Sequence, residues 1–263
     1  MNKKITITSI KKSKGNTPLV MITAYDALFA KLLEPYADMI LVGDSLNMSF
    51  AGKPDTLSST MEQMLYHTNA VCAGANNSFV ICDMPFGTYT DENIALKNAI
   101  RVFQETNADS VKIEGGEDKS HIVKHLVDNG IAVCGHIGLL PQSVRSEGGY
   151  KVKGKTTAEE LQLIRDAQAI EAAGAFCIVI EGVKADVARV VANSVKVPLV
   201  GIGAGVDVDG QVLVFSDMLG LFEEFTPKFV KKYMDGASLV KEAVLNYADE
   251  VKTKKFPTEE YTY

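Results

Sequence analysis

The sequence predicts a closed (β/α)8 barrel, and three observations predict it. Eight short runs rich in apolar and β-branched residues are spread along the 263 residues. The runs lack the strict alternation of a half-solvated strand, so both of their faces are buried, as in a parallel sheet. The segments between them carry helical periodicity with recognisable starts and stops. Strands buried on both faces that alternate with amphipathic helices are βαβ units. Eight of them in about 250 residues favour the closed barrel over an open doubly wound sheet. A composition of 46% hydrophobic and 23% charged residues suits one large core, and the chain has no obvious seam. It reads as one barrel domain, 1–263, with a short N-terminal segment and a C-terminal helical extension.

Taken in order, the first 16 residues (MNKKITITSIKKSKGN) form a short segment that fits as a plug of the barrel. Strands follow at Leu19 to Thr23, Met39 to Gly43, Phe79 to Asp83, Ser110 to Glu114, Ile131 to His136, Phe176 to Glu181, Pro198 to Gly203 and Val212 to Ser216. Ser59-Thr60-Met61-Glu62 reads as a capping box that opens a helix with Met61, Met64, Leu65, Thr68, Val71 and Cys72 on its apolar face. Thr157-Ala158-Glu159-Glu160 opens another in the same way. Gly74, Gly130 and Gly174 stand where helices stop, as left-handed C-terminal caps do. The connection after the fifth strand, containing GGYKVKG (Gly148 to Gly154), is about 16 residues long, more than a βα loop needs, and reads as a lid or an oligomer contact. From Pro227 to Asp249 an amphipathic helical pattern continues past the eighth unit as packing or an oligomer contact.

A net charge of -6, without a Lys/Arg cluster of more than a few residues, argues against nucleic acid or an anionic membrane as the main partner. Small molecules become the default. The N-terminus has basic residues but no apolar run of the length a signal peptide needs, and no stretch of about 18 apolar residues occurs. Cys72, Cys82, Cys134 and Cys177 form no Cys-x-x-Cys pair and read as reduced, mostly core thiols. Together these features predict a soluble, cytoplasmic protein.

Chemistry in such barrels is placed at the C-terminal ends of the strands. Here the second strand runs into Asp44 and Ser45, the third ends in Asp83, and the fourth carries Lys112 and Glu114. The fifth carries His136, the sixth ends in Glu181, and the seventh runs into a glycine-rich Gly201 to Gly205. A single Asp after a strand is as often a turn former as anything else. Asp44 and Asp83 on adjacent strands at one depth are different, because two close carboxylates need a raised pKa or a cation between them. With oxygen-only neighbours the natural cation is Mg2+. Glu114 fits as a third carboxylate, reached directly or through water, with an ion pair to Lys112 as its bland alternative. Lys112 invites Schiff-base chemistry, but so many acids favour its protonated form, as a cation that binds a substrate carboxylate or keto oxygen. Glu181 follows a very apolar run and is expected to be a desolvated general base, or else an ion-pair partner of Lys184 or Arg189. His136 reads equally well as base, ligand or core histidine, and His67, His121 and His125 as helix residues that pack or face solvent.

These residues also carry a resemblance. The blocks GDSLNM, HTNAV, DMPFGTY, VKIEGG, CGHIGLLPQS, GGYKVKGK, EAAGA, GIGAG, DGQVLV and TPKF resemble, in order and approximate spacing, those of the ketopantoate hydroxymethyltransferase family over nearly the whole chain. The resemblance implies a Mg2+-dependent (β/α)8 barrel that assembles as a homodecamer in pantothenate biosynthesis. Such an enzyme transfers a hydroxymethyl group from 5,10-methylenetetrahydrofolate to 3-methyl-2-oxobutanoate, giving 2-dehydropantoate. Position by position it implies Asp44 and Asp83 as metal ligands with Glu114 as third acid, Ser45, Asp83 and Lys112 as keto-acid holders, and Glu181 as proton acceptor. Asp44 joins the substrate-binding set through the metal it holds, and His136 matches a family histidine near the site. Asn47, Leu140 and Lys184 depart from the Gly, Thr and Pro common in the family, and Asn47 tolerates the left-handed backbone that a Gly exchange would require. The rival readings are a metal-dependent lyase of the phosphoenolpyruvate mutase type, a Lys112 Schiff-base aldolase and a barrel that binds without turnover.

Overall fold

A computed structural model describes residues 4–223 and 226–263. The chain divides into two compact units, Met1–Val214 and Phe215–Tyr263. The first opens with α1 (Ile7–Lys12) and then runs β1 (Leu19–Thr23), α2 (Ala27–Leu33), β2 (Met39–Val42), α3 (Leu46–Ser49), α4 (Met61–Gly74), β3 (Phe79–Asp83) and α5 (Glu92–Glu105). It continues with β4 (Ser110–Glu114), α6 (Ser120–Asp128), β5 (Val133–Gly138), α7 (Thr157–Ala172), β6 (Cys177–Glu181), α8 (Ala185–Asn193), β7 (Leu199–Ile202) and β8 (Gly210–Leu213). The eight strands pair in parallel, in chain order, and β8 closes on β1, so the sheet is a barrel. The second unit holds α9 (Phe215–Met218) and α10 (Gly236–Lys252), the helical extension expected after the eighth strand.

The period of two along each strand sorts the interior into layers. Phe79, Ile81 and Asp83 share one face of β3; Ser110, Lys112 and Glu114 share one face of β4; Cys177, Val179 and Glu181 share one face of β6. The lower layers are apolar: Met21, Met39, Leu41, Phe79, Ile81, Cys134, Val179 and Val212 belong to one buried cluster. The uppermost layer is charged. Ile10 of α1 is fully buried in that same cluster, with Ile5 and Ile7 packed against it, so the N-terminal segment does plug the barrel. Met1 to Lys3 of that segment lie outside the described residues.

Two expected helix starts shift by one residue. Thr60, not Ser59, caps α4, in a capping box with Gln63, and Thr156, not Thr157, caps α7 by accepting from the Glu159 amide. The neighbouring Ser/Thr residues could each have served. The eighth strand lies at Gly210–Leu213, ahead of the expected Val212 to Ser216, because Phe215–Met218 turns into helix. Gly130 and Gly174 take the left-handed conformation expected of caps, with φ of 83° and 105°. Gly74 does not. It is the last residue of α4 and is small because α2 crosses it: a Cβ there would lie 2.2 Å from the Ala27 carbonyl oxygen. Gly74→Ala is therefore expected to cost about 1–3 kcal/mol as an overpacked contact, read as a lower urea midpoint with unchanged slope.

Among the described residues no helix is long and apolar enough to cross a membrane. The four cysteines are unbridged, three of them buried.

Candidate active site

Strand register builds the site. Asp83 pairs with Lys112 across β3 and β4, Glu114 with His136 across β4 and β5, and Gly138 with Glu181 across β5 and β6. Residues paired in parallel strands point to the same face, so the charged layer is contiguous. Asp44, Asp83, Lys112, Glu114 and His136 are all at most 4% exposed.

Lys112 stands at the centre. Its Nζ lies 2.6 Å from Asp83 Oδ1, 3.8 Å from Glu114 Oε1 and 3.0 Å from His136 Nδ1. The close partner is the acid on the neighbouring strand, and the acid two residues along its own strand is further off. Burial opposes the Lys112 charge, but Asp83, Glu114 and Asp44 outweigh it and push its pKa above the ordinary value. That keeps the amine protonated and unsuited to Schiff-base formation.

Asp44 and Asp83 are both pushed up, first by burial. Asp83 raises Asp44 further, while Lys112 and the Gln142 hydrogen bond lower it. Asp83 Oδ2 accepts the Asp44 backbone N–H at 3.1 Å, which ties the two strand ends together. Glu114 is held down despite its burial, most strongly when the His136 ring is charged and also by Lys112 and the Gln142 amide.

His136 lies between two acids, with Nδ1 3.5 Å from Glu114 Oε1 and Nε2 3.3 Å from Glu181 Oε2. Burial and the Lys112 ammonium oppose a charge on the ring, and Glu114 and Glu181 more than offset them, pushing it up to about 9. The contact with Lys112 argues the other way: an ammonium offers no lone pair, so 3.0 Å to Nδ1 is a hydrogen bond only if Nδ1 is bare. The contact is the stronger constraint, because two cations would not hold that distance in a buried site. It places the imidazole proton on Nε2, which lies near Glu181 but forms no hydrogen bond.

Glu181 differs from the desolvated base expected of it. Its side chain is 19% exposed, against 3% for Glu114, so it is the acid of the cluster open to a substrate. Among the described residues its close basic neighbour is the His136 ring, at 3.3 Å, rather than Lys184 or Arg189. Ser45 Oγ shares a 2.8 Å hydrogen bond with Tyr25 Oη at the start of α3. Asn47 is not left-handed. It lies in α3 and donates to the Asp55 carbonyl at 2.7 Å and to Ser58 Oγ at 3.0 Å, pinning the loop that follows β2. Across from it the long connection after β5 is anchored by Arg145, which donates to Asp55 Oδ2 from Nε at 3.1 Å and from Nη2 at 2.9 Å.

Two residues of the site were not singled out from the sequence, Gln142 and Tyr89. The Gln142 backbone N–H donates to Glu114 Oε2 at 3.0 Å, its side-chain Nε2 donates to Asp44 Oδ2 at 2.9 Å and the Met84 carbonyl at 3.0 Å, and its Oε1 accepts from Tyr89. A lone Gln in a loop carries no chemical signal, and only the fold shows what it reaches.

Removing the central cation leaves buried acids unbalanced. Lys112→Met is expected to destabilise the protein by about 3 kcal/mol, measured by urea unfolding at neutral pH.

A closed parallel barrel with buried acids, a lysine and a histidine at the C-terminal rim of its strands defines a barrel enzyme of the (β/α)8 class. Residues 4–259 match the model of the ketopantoate hydroxymethyltransferase family. The chain is 78% identical over 263 residues to the 3-methyl-2-oxobutanoate hydroxymethyltransferase of Sulfurimonas denitrificans, covering all of both chains. It is 68% identical over 260 residues to the one of Aliarcobacter butzleri, covering 99% of this chain and 97% of that one. The chain belongs to the ketopantoate hydroxymethyltransferase family and is a hydroxymethyltransferase. Its fold is similar to that of a phosphonopyruvate hydrolase solved with oxalate and Mg2+, at a TM-score of 0.63 and 13% identity, over 97% of this chain and 92% of the other. It is also similar to a 2,3-dimethylmalate lyase, at a TM-score of 0.62 and 16% identity, over 97% and 91%.

Proposed function

We propose that the chain transfers a one-carbon unit from 5,10-methylenetetrahydrofolate to 3-methyl-2-oxobutanoate, giving 2-dehydropantoate, with Mg2+ as the metal and Glu181 as the base. The observation that carries this reading is the charged layer itself, in which one acid, Glu181, is open while Asp44, Asp83 and Glu114 are buried around Lys112. The full-length relatives bear the name of that reaction.

The donor set fits a hard divalent cation. Even with His136 charged, the four carboxylates outnumber the two cations, and Asp44 and Asp83 are pushed up, first by burial and then by the neighbouring acids. Among the described residues no three His, Cys, Asp or Glu side chains are grouped to hold a metal by themselves. Mg2+ takes one or two carboxylates and fills its remaining positions with water and substrate. Asp44 and Asp83 would be the direct ligands. Glu114, whose oxygens face Gln142, His136 and Lys112, would act through water. Bound Mg2+ supplies Lewis-acid polarisation of the keto acid, which makes its C3 proton acidic.

The chain's residues do the rest. Lys112 and Ser45 hold the substrate's oxygens, and Glu181 takes the proton from C3. His136 Nε2, 3.3 Å from Glu181 Oε2, is close enough to stabilise the charge on that carboxylate. The C3 electron pair then forms the new carbon–carbon bond to the folate-borne carbon. That carbon starts bonded to two folate nitrogens, so two carbon–nitrogen bonds break, each with its electron pair going to nitrogen. Water supplies the hydroxyl oxygen, and the C3 proton and one proton of that water end on the two nitrogens.

Folate dependence separates this reading from the lyases whose fold the chain shares. 2-Dehydropantoate formation that requires both Mg2+ and methylenetetrahydrofolate is the expected result. Cleavage of a carbon–carbon or carbon–phosphorus bond without folate would support a lyase instead.

The assembly we propose is the homodecamer of the family. It is supported by Leu239, Val240, Val244 and Leu245, which α10 leaves exposed, and is checked by light scattering on the eluting protein. We place it in the cytosol, consistent with its unbridged cysteines.

A further inference from the structure

Gln142 is six residues past the histidine of β5 and touches the charged layer twice, through its backbone and through its side chain. The orientation of its amide is fixed by what surrounds it. The Met84 carbonyl, 3.0 Å away, can only accept, so the atom facing it is the nitrogen. The second hydrogen of that nitrogen goes to Asp44 Oδ2 at 2.9 Å. On the other side of the amide the Tyr89 hydroxyl donates to Oε1. Burial first, and then Glu114, Asp83 and Asp44, hold the Tyr89 phenol well above its ordinary value, so it keeps the proton it donates. Gln142 is 6% exposed and Tyr89 7%, so neither bond is exchanged readily with water.

We infer that Gln142, locked by Tyr89 and the Met84 carbonyl, is a positioning residue that occupies Oδ2 of Asp44 and so fixes how that carboxylate is presented to a divalent cation. The inference rests on the reading of Asp44 as a cation ligand. A carboxylate free to rotate offers either oxygen; one that already accepts an N–H on Oδ2 is held with its other oxygen in a fixed direction. Asp44 follows its strand in a loop, where the backbone alone gives less restraint than a strand would. The same residue serves Glu114 through its main chain, so one loop position sets two of the acids. Partners of this kind typically change metal affinity or activity about 10–100-fold when removed.

The division between backbone and side chain makes the inference testable. Gln142→Met keeps the volume and the N–H to Glu114 but deletes the bond to Asp44. Tyr89→Phe leaves Gln142 in place but unlocks its amide. Binding of Mn2+, used as a probe for Mg2+, would be titrated by electron paramagnetic resonance in wild type, both variants and Asp44→Asn, with thermal unfolding in parallel. The expected result is a dissociation constant raised at least about 10-fold in Gln142→Met and by a smaller factor in Tyr89→Phe. The keto acid KM should follow cation occupancy and return toward the wild-type value at saturating Mg2+. If both variants bind Mn2+ within twofold of wild type while Asp44→Asn has lost it, the inference is overturned. If Asp44→Asn itself binds like wild type, the cation reading falls and takes the inference with it. Should Gln142→Met fail to fold, Tyr89→Phe decides alone.

Discussion

Glu181→Gln is expected to lower kcat for 2-dehydropantoate formation by about 10²–10⁴-fold, the usual contribution of a positioned general base. The exchange keeps the shape of the side chain and the contact with His136, so folding and cation binding should be unaffected. Keto acid KM should change little, because Lys112 and Ser45, not Glu181, hold the substrate's oxygens. Steady-state kinetics on the purified variant at saturating Mg2+ checks both statements. A loss confined to KM would make Glu181 a binding residue and would leave the base unidentified.

Removal of the cation is the second large effect. Lewis-acid stabilisation of the developing charge is worth several kcal/mol, and about 4 kcal/mol corresponds to roughly a 10³-fold loss of rate. Treatment with EDTA should therefore abolish turnover reversibly, with Mg2+ restoring it. Asp44→Asn should reproduce the loss in a form that added Mg2+ does not fully repair. The expectation depends on geometry: Asp83 ends β3, Asp44 follows the adjacent β2 by two residues, and the Asp44 backbone N–H donates to Asp83 Oδ2 at 3.1 Å, so the two acids are neighbours at the rim. Full activity in EDTA would turn attention back to Lys112, although its pairing with Asp83 at 2.6 Å disfavours a free amine.

Much of this site was legible in the sequence, for a physical reason. In a parallel barrel the strands are continuous apolar runs, so a charged residue at the end of one stands out, and Asp83, Lys112, Glu114, His136 and Glu181 were all found that way. Strand ends also fix depth, which is why side chains from β3 to β6 could be expected to converge. Three things were not legible. The exposure of Glu181 depends on what lies above the rim, and an apolar strand before it says nothing of that. The role of Asn47 depends on a loop that returns to it at Asp55 and Ser58. Gln142 and Tyr89 act by reaching across strands from connections, and neither residue type announces itself in a loop. The shifts of the α4 and α7 caps by one residue reflect adjacent Ser and Thr of nearly equal capping strength, which only tertiary placement separates.

The central claim is that this rim ionises a carbon acid, with Glu181 as base and a divalent cation as electron sink. Its most direct measurement leaves out folate altogether. Exchange of the C3 proton of 3-methyl-2-oxobutanoate for deuterium would be followed by NMR in wild type and Glu181→Gln, with Mg2+ or with EDTA. The predicted result is exchange in wild type with Mg2+, and its collapse both in the variant and in EDTA. Exchange that persists at the wild-type rate in Glu181→Gln, or that needs no metal, would contradict the assignment of base and cation.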